Sequence, residues 1–299
     1  MKQILAIATL LLWSFSGNAQ EEEGGSLLDL LEEEETTNYA SASFKTTRII
    51  NAQSIENVAE GVLDFKISHR FGMLNAGAYE AFGLDNATIR LGLDYGITKN
   101  LMVGFGRSSW QKALDGFVKY RILRQSTGKR NMPITLSVHS SIAVNMLRWA
   151  NPERDNFLTS RLVYTHQVLI GRKISSGTSI MLMPTLIHRN LVETKAEKND
   201  VYALGIGGRQ KLTKRLALTG EYYYVLPDQI ADIYSNALSL GIDIETGGHV
   251  FQLHFTNSTA MIDKGVITET TGRWDKGDIH FGFNVSRVFT IREQRRPKE

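Results

Sequence analysis

Hydropathy with a period of two recurs along most of this chain, and that pattern limits the fold more than any other feature. In GLDNATIRLGLDYGITKNLMVGFG, Ile89, Leu91, Leu93, Tyr95 and Ile97 alternate with Thr88, Arg90, Gly92, Asp94 and Gly96. After residues 98–100 the pattern resumes as Leu101, Val103 and Phe105 against Met102, Gly104 and Gly106. The same alternation runs through GVLDFKISHRF, GFVKYRIL, PITLSVHSSIAV, VYALGIGGRQKL, KRLALTGEYYYV, ALSLGIDIE, VFQLHF and DIHFGFNVS. FLTSRLVYTHQVLIGRK and GTSIMLMPTLIHR also read as strands, though their faces stay ambiguous. Period two is the strand signature, and it gives about twelve strands from Gly61 onward. Most are close to the ~9–11 residues that a tilted strand needs to cross a bilayer.

Connection lengths add a second signal. TKN, SSG, TK and TGG are short, whereas GMLNAGAYEAFGLD, RWANPERDN, NLVETKAEKN, LPDQIADIYS and NSTAMIDKGVITETTGRWDKG are long. They alternate along the chain, and only SSWQK and RQSTGKRN break the order. Tight turns on one side and larger loops on the other mark outer-membrane barrels. A soluble sandwich has no reason to sort its loops by side. The polar faces carry Asp64, Lys66, Arg90, Asp94, Lys119, Arg121, Arg209, Lys211, Glu221, Asp243, Glu245, His254 and His280. In a dry core each charge would need a partner, whereas in a lumen they are solvated or pair across strands. The expected fold is therefore all-β: a closed antiparallel transmembrane barrel in an up-and-down meander, apolar side chains facing lipid and those thirteen candidates lining the lumen. Only such closure leaves no unpaired edge in hydrocarbon. Tyr95, Phe105, Tyr120, Tyr222, Tyr224 and Phe255 lie near strand ends, where interfacial aromatics belong.

The ends divide the chain further. MKQILAIATLLLWSFSGNAQ has a positive start, an apolar run too short to span a bilayer and a small-residue Gly17-x-Ala19 site. Residues 1–19 therefore read as a cleaved signal peptide, with export to the outer membrane of a Gram-negative bacterium. Residues 20–38 read as an acidic flexible linker, with docking of SLLDLL on a periplasmic protein as the alternative, residues 61–291 are the barrel, and residues 292–299 a basic periplasmic tail. Residues 39–60 are open between an extra strand, from the alternation of Phe44, Thr46, Arg48 and Ile50, and packing in the lumen or periplasm. There is no cysteine, which removes disulfides and a lipidated anchor. The net charge is +3, without a basic stripe interleaved with aromatics, which argues against nucleic acid as a partner.

SFKTTRIINAQSIENVAEGVLDFKISHRFG and FGLDNATIRLGLDYGITKNLMVGFGRSSWQKALDGFVKYRIL resemble an uncharacterised family of bacterial β-barrels, domain of unknown function 5777. The resemblance extends from about Phe44 to the last strand and implies a signal peptide and an outer-membrane-type barrel. It implies no activity and no site residues.

Chemistry has to be weighed from the residues themselves. His139, Ser141 and Asn145 share a strand parity that resembles an outer-membrane lipid hydrolase, but that chemistry needs the trio facing lipid, and His139 and Ser141 should face the lumen. His254 and His280, on the polar face of the last two strands, lack a carboxylate cluster, so no metal is assigned and no cofactor is expected. GIGG at 205–208 opens no helix and is no phosphate loop. Two functions stay open: a narrow channel or pore for small solutes, and a non-transporting barrel acting as envelope scaffold or docking protein. A lipid hydrolase is a minor third.

Overall fold

The computed structural model describes residues 36–195, 197–247 and 249–292. The signal peptide, most of the acidic linker and all but the first residue of the basic tail lie outside the described residues. The strands are β1 (Thr37–Tyr39), β2 (Val62–Met73), β3 (Ala87–Gly96), β4 (Leu101–Ser108), β5 (Leu114–Leu123), β6 (Ser126–Gly128) and β7 (Thr135–Val144). They continue as β8 (Leu162–Lys173), β9 (Thr178–Arg189), β10 (Asp200–Lys211), β11 (Leu216–Val225), β12 (Leu238–Thr246), β13 (His249–Thr256) and β14 (His280–Thr290). All except β1 and β6 form one closed barrel in sequence order, and β14 seals it against β2 from His280↔Met73 to Thr290↔Val62. Every pairing within it is antiparallel, a twelve-stranded meander.

The opening alternation maps onto β3 and β4. Ile89, Leu91 and Leu93 are exposed on the outside, while Arg90 and Asp94 are buried within. Leu182, Leu204, Leu240 and Leu253 continue the exposed apolar belt around the wall. A water-soluble barrel would have the reverse arrangement, so this belt meets hydrocarbon. Replacing Leu91 with arginine is therefore expected to destabilise the inserted barrel by about 2–4 kcal/mol. Urea titration in vesicles, followed by heat-modifiable gel migration, reads that change; an unchanged midpoint would mean that the belt does not face lipid.

The two strands of ambiguous face, β8 and β9, present Tyr164, His166 and Val168, and Ile180, Leu182 and Leu186, outward. Val163, Leu169, Met181, Met183 and Ile187 point inward and are buried. Their periodicity is blurred because this part of the interior is apolar too.

The short turns after β3, β8, β10 and β12 gather at one mouth, where the barrel wall also begins and ends. The β5–β7 connection belongs to this mouth as well, and is longer because it carries β6, which pairs with β1. SSWQK, at the opposite mouth, closes with a tight 3-10 turn. That accounts for the two connections that broke the length order.

Candidate functional site

The interior is packed rather than water-filled. Residues 43–55 are buried except for half-buried Lys45, and form a hairpin inside the barrel. Its arms are joined by the Arg48↔Gln53 bridge, by Ile49 N–H to Ala52 C=O (2.8 Å) and by Ser54 N–H to Thr47 C=O (2.9 Å). Its tip is anchored on β11. The Glu221 carboxylate accepts the backbone N–H groups of Ile50 (3.1 Å), Asn51 (2.8 Å) and Ala52 (2.9 Å). Successive amides turned toward one anion make a nest, and here the anion is supplied by the wall.

The opposite wall uses the opposite charge. Lys119 on β5 donates to the carbonyls of Ser54 (2.9 Å) and Glu56 (2.7 Å), with a longer contact to Thr47 C=O (3.4 Å). Arg121 reaches Ile55 C=O at 3.5 Å. Lys66 joins Asp64 and Asp94, both at 2.7 Å, and donates to the Thr47 hydroxyl, which itself donates to Asp94 (3.0 Å). Arg70 donates to Asn51 Oδ1 (2.7 Å), Gln252 to Ile49 C=O (2.6 Å) and Asn284 to Ile50 C=O (2.9 Å). The hairpin is thus held mainly by side chains of the wall bonded to its backbone.

Glycines shape the space. A Cβ on Gly207 would lie 2.2 Å from Ile49 Cδ1, and one on Gly171 would lie 2.6 Å from Ile55 Cδ1. Each glycine leaves a hollow for one isoleucine of the hairpin.

A second insert enters from the long-loop mouth. The β13–β14 connection folds inward as a short helix α1 (Asp263–Thr268), with Val266 and Ile267 buried. Asp263 Oδ2 lies 2.9 Å from His139 Nε2 and accepts the Ser141 hydroxyl at 3.0 Å. Burial works against ionisation of Asp263, but His139, Arg48 and the Ser141 hydroxyl outweigh it and hold the carboxyl well below the usual carboxylate range. Outside the two inserts lie open vestibules. One of about 750 Å³ at the short-turn mouth includes Lys45, Glu56, Arg215 and Glu245 in its lining, and one of about 320 Å³ at the other includes Arg161, Arg189, Lys264 and Glu269.

Of the thirteen lumen candidates, Asp64, Lys66, Arg90, Asp94, Lys119, Arg121, Arg209, Glu221, Asp243, His254 and His280 are buried. Lys211 is exposed at the end of β10, and Glu245 is half-buried near the end of β12, 2.6 Å from Lys45. The buried ones are covered by protein, because residues 43–58 and α1 enter the space that the wall encloses. Arg90 pairs with Asp115 through two hydrogen bonds of 2.9 and 2.5 Å, and Arg209 approaches Asp243 at 4.0 Å.

His139 and Ser141 meet on Asp263, not on each other, and Asn145 is elsewhere, with its Oδ1 accepting Leu147 N–H. His254 pairs with Gly282 and His280 with Thr256, and His280 Nδ1 donates to Phe71 C=O (2.9 Å). Among the described residues no group of three or more His, Cys, Asp or Glu side chains can hold a metal ion. Sequence reasoning missed Asp263, which sits in a loop without periodicity. It also missed Ser140 and His166, exposed neighbours on the outer belt whose side chains bond each other at 2.9 Å.

A closed barrel with an apolar outer belt and an ionic interior is a membrane β-barrel of the outer-membrane type. The chain belongs to the family described as "Membrane bound beta barrel domain (DUF5777)", which it matches over residues 44–289. That span includes the hairpin as well as nearly all of the barrel wall. No curated protein matches the sequence. Among solved structures, the NanC porin is similar at 9% identity, covering 76% of this chain and 98% of that chain with a TM-score of 0.47. The KdgM porin is similar at 10% identity (76% and 99%, TM-score 0.45). The COG4313 outer membrane channel from Pseudomonas putida F1 is similar at 14% identity (79% and 98%, TM-score 0.43).

Proposed function

We propose that this protein is an outer-membrane channel for small solutes that rests closed, and that conduction requires residues 43–58 to leave the lumen. The observation that carries this reading is the chemistry of the contact between wall and hairpin. Glu221, Lys119, Arg70, Gln252 and Asn284 all bond the hairpin through groups that water can also satisfy. Exchanging such a bond for water costs about 0.5–1.5 kcal/mol net where both groups are neutral and about 1.5–3 kcal/mol where one is charged, and the barrel ladder is untouched by it. A vestibule lies at each mouth, and between them the path also passes α1, the smaller of the two inserts.

The packed interior favours a second reading, a non-transporting barrel that serves as envelope scaffold or docks a periplasmic protein through residues 20–38. Planar-bilayer recording separates the two. The full-length protein is expected to be mostly silent, and a chain lacking residues 41–58 to show resolved open steps. Silence of the shortened chain, with insertion verified by heat-modifiable migration, would leave the scaffold reading.

A further inference from the structure

We infer that the solute is amphipathic, with an apolar body and an anionic head such as a carboxylate. This rests on the channel reading and deepens it. The lumen has two unlike arcs. On β2–β5 the inward charged residues are five cations, Lys66, Arg70, Arg90, Lys119 and Arg121, against three acids, Asp64, Asp94 and Asp115, which pair with Lys66 and Arg90. Across the barrel, the inward face of β8–β11 is richer in apolar groups, with Leu169, Met181, Met183, Val201 and Tyr223 set among Arg189, Arg209 and Glu221. With the hairpin in place its isoleucines cover this arc, and once they leave, the arc offers an apolar body a surface that a small hydrated ion cannot use.

The hairpin itself shows what this lumen complements. Ile49, Ala52 and Ile55 pack into the apolar cluster, whereas Thr47 and Asn51 donate to the wall residues Asp94 and Ser239. The two chemistries meet at one residue. The Ile55 side chain fills the hollow over Gly171, and its carbonyl faces Arg121. The neighbouring carbonyls of Ser54 and Glu56 are bonded by Lys119.

Withdrawal of the hairpin leaves Lys119 without any of these acceptors, beside Arg121 and next to an empty apolar slot. A carboxylate replaces carbonyl oxygens on an ammonium with a stronger, charge-assisted bond, and an alkyl chain replaces the isoleucine. Cationic amphiphiles match the slot but not its charged end.

The test uses the full-length chain carrying Glu221→Gln, which loosens the tip, in planar bilayers with acetate, decanoate or decyltrimethylammonium as the probe. Decanoate is expected to interrupt open-state current at a concentration about tenfold or more below that of acetate, as burial of several methylenes implies, and below that of decyltrimethylammonium. Adding Lys119→Met should remove the advantage over the cation. Open steps that decanoate blocks no better than acetate overturn this inference and leave the channel intact. Equal block by decanoate and decyltrimethylammonium overturns the anionic head. Silence of both this variant and the inserted chain lacking residues 41–58 overturns the channel reading and this inference with it.

Discussion

In a chain carrying a single cysteine at position 54, replacing Glu221 with glutamine is expected to speed the labelling of that thiol about a hundredfold. Ser54 is fully buried in the hairpin and the native chain has no cysteine, so an introduced thiol reports only on the hairpin's departure. Glu221 receives three backbone N–H groups, and hydrogen bonds to a charged acceptor are worth about 1.5–3 kcal/mol each. Glutamine keeps one carbonyl oxygen but turns an NH₂ group toward donors. A net loss on the order of 3 kcal/mol follows, and each 1.4 kcal/mol is tenfold in population. A membrane-impermeant maleimide added at the short-turn mouth measures the rate. Equal rates with and without the substitution would mean that the tip is not what holds the hairpin in place.

The second large effect concerns the wall. Arg90 on β3 forms its two hydrogen bonds to Asp115 on β5 across β4, over Gly106. A Cβ on Gly106 would stand 2.1 Å from the guanidinium, so the strand between the partners is bare where the pair crosses it. Both side chains are buried. Arg90→Met strands a carboxylate and is expected to cost about 3–5 kcal/mol, whereas the double substitution Arg90→Met with Asp115→Leu should recover most of that loss. Denaturant midpoints of the wild type, both single variants and the double variant form a cycle that isolates the pair. If the double variant is no more stable than Arg90→Met, the cost lies in packing rather than in the unpaired charge.

The wall was legible from the sequence, because alternation over β3, β4, β10 or β12 requires one apolar and one polar face and says which residues share them. The contents of the lumen were not. Lys119 reads as an inward lysine, but nothing in its spacing says that it meets carbonyls of residues 47–56 rather than water. The alternation of Phe44, Thr46, Arg48 and Ile50 suited a strand equally well. What settles its place is a tertiary contact about 170 residues away, between Ile50–Ala52 and Glu221. β8 and β9 were ambiguous for the same reason, since their inward methionines and isoleucine match a plug that the periodicity could not reveal. Asp263 was hidden by its loop, which has no period at all.

The hairpin between β1 and β2 has both of its ends at the short-turn mouth: β1 is held on β6, and Gly61 N–H is bonded to Gly96 C=O. It can therefore leave as a doubled-over strand, with no free terminus drawn through the barrel and no pair of the β14–β2 seam undone. The span from Tyr39 to Val62, at ~3.3–3.6 Å per residue, has a contour length of roughly 80 Å, which limits an outward excursion to about half that. If the hairpin moves as the proposed channel requires, retraction and return are topologically free, and the cylinder around it remains whole throughout.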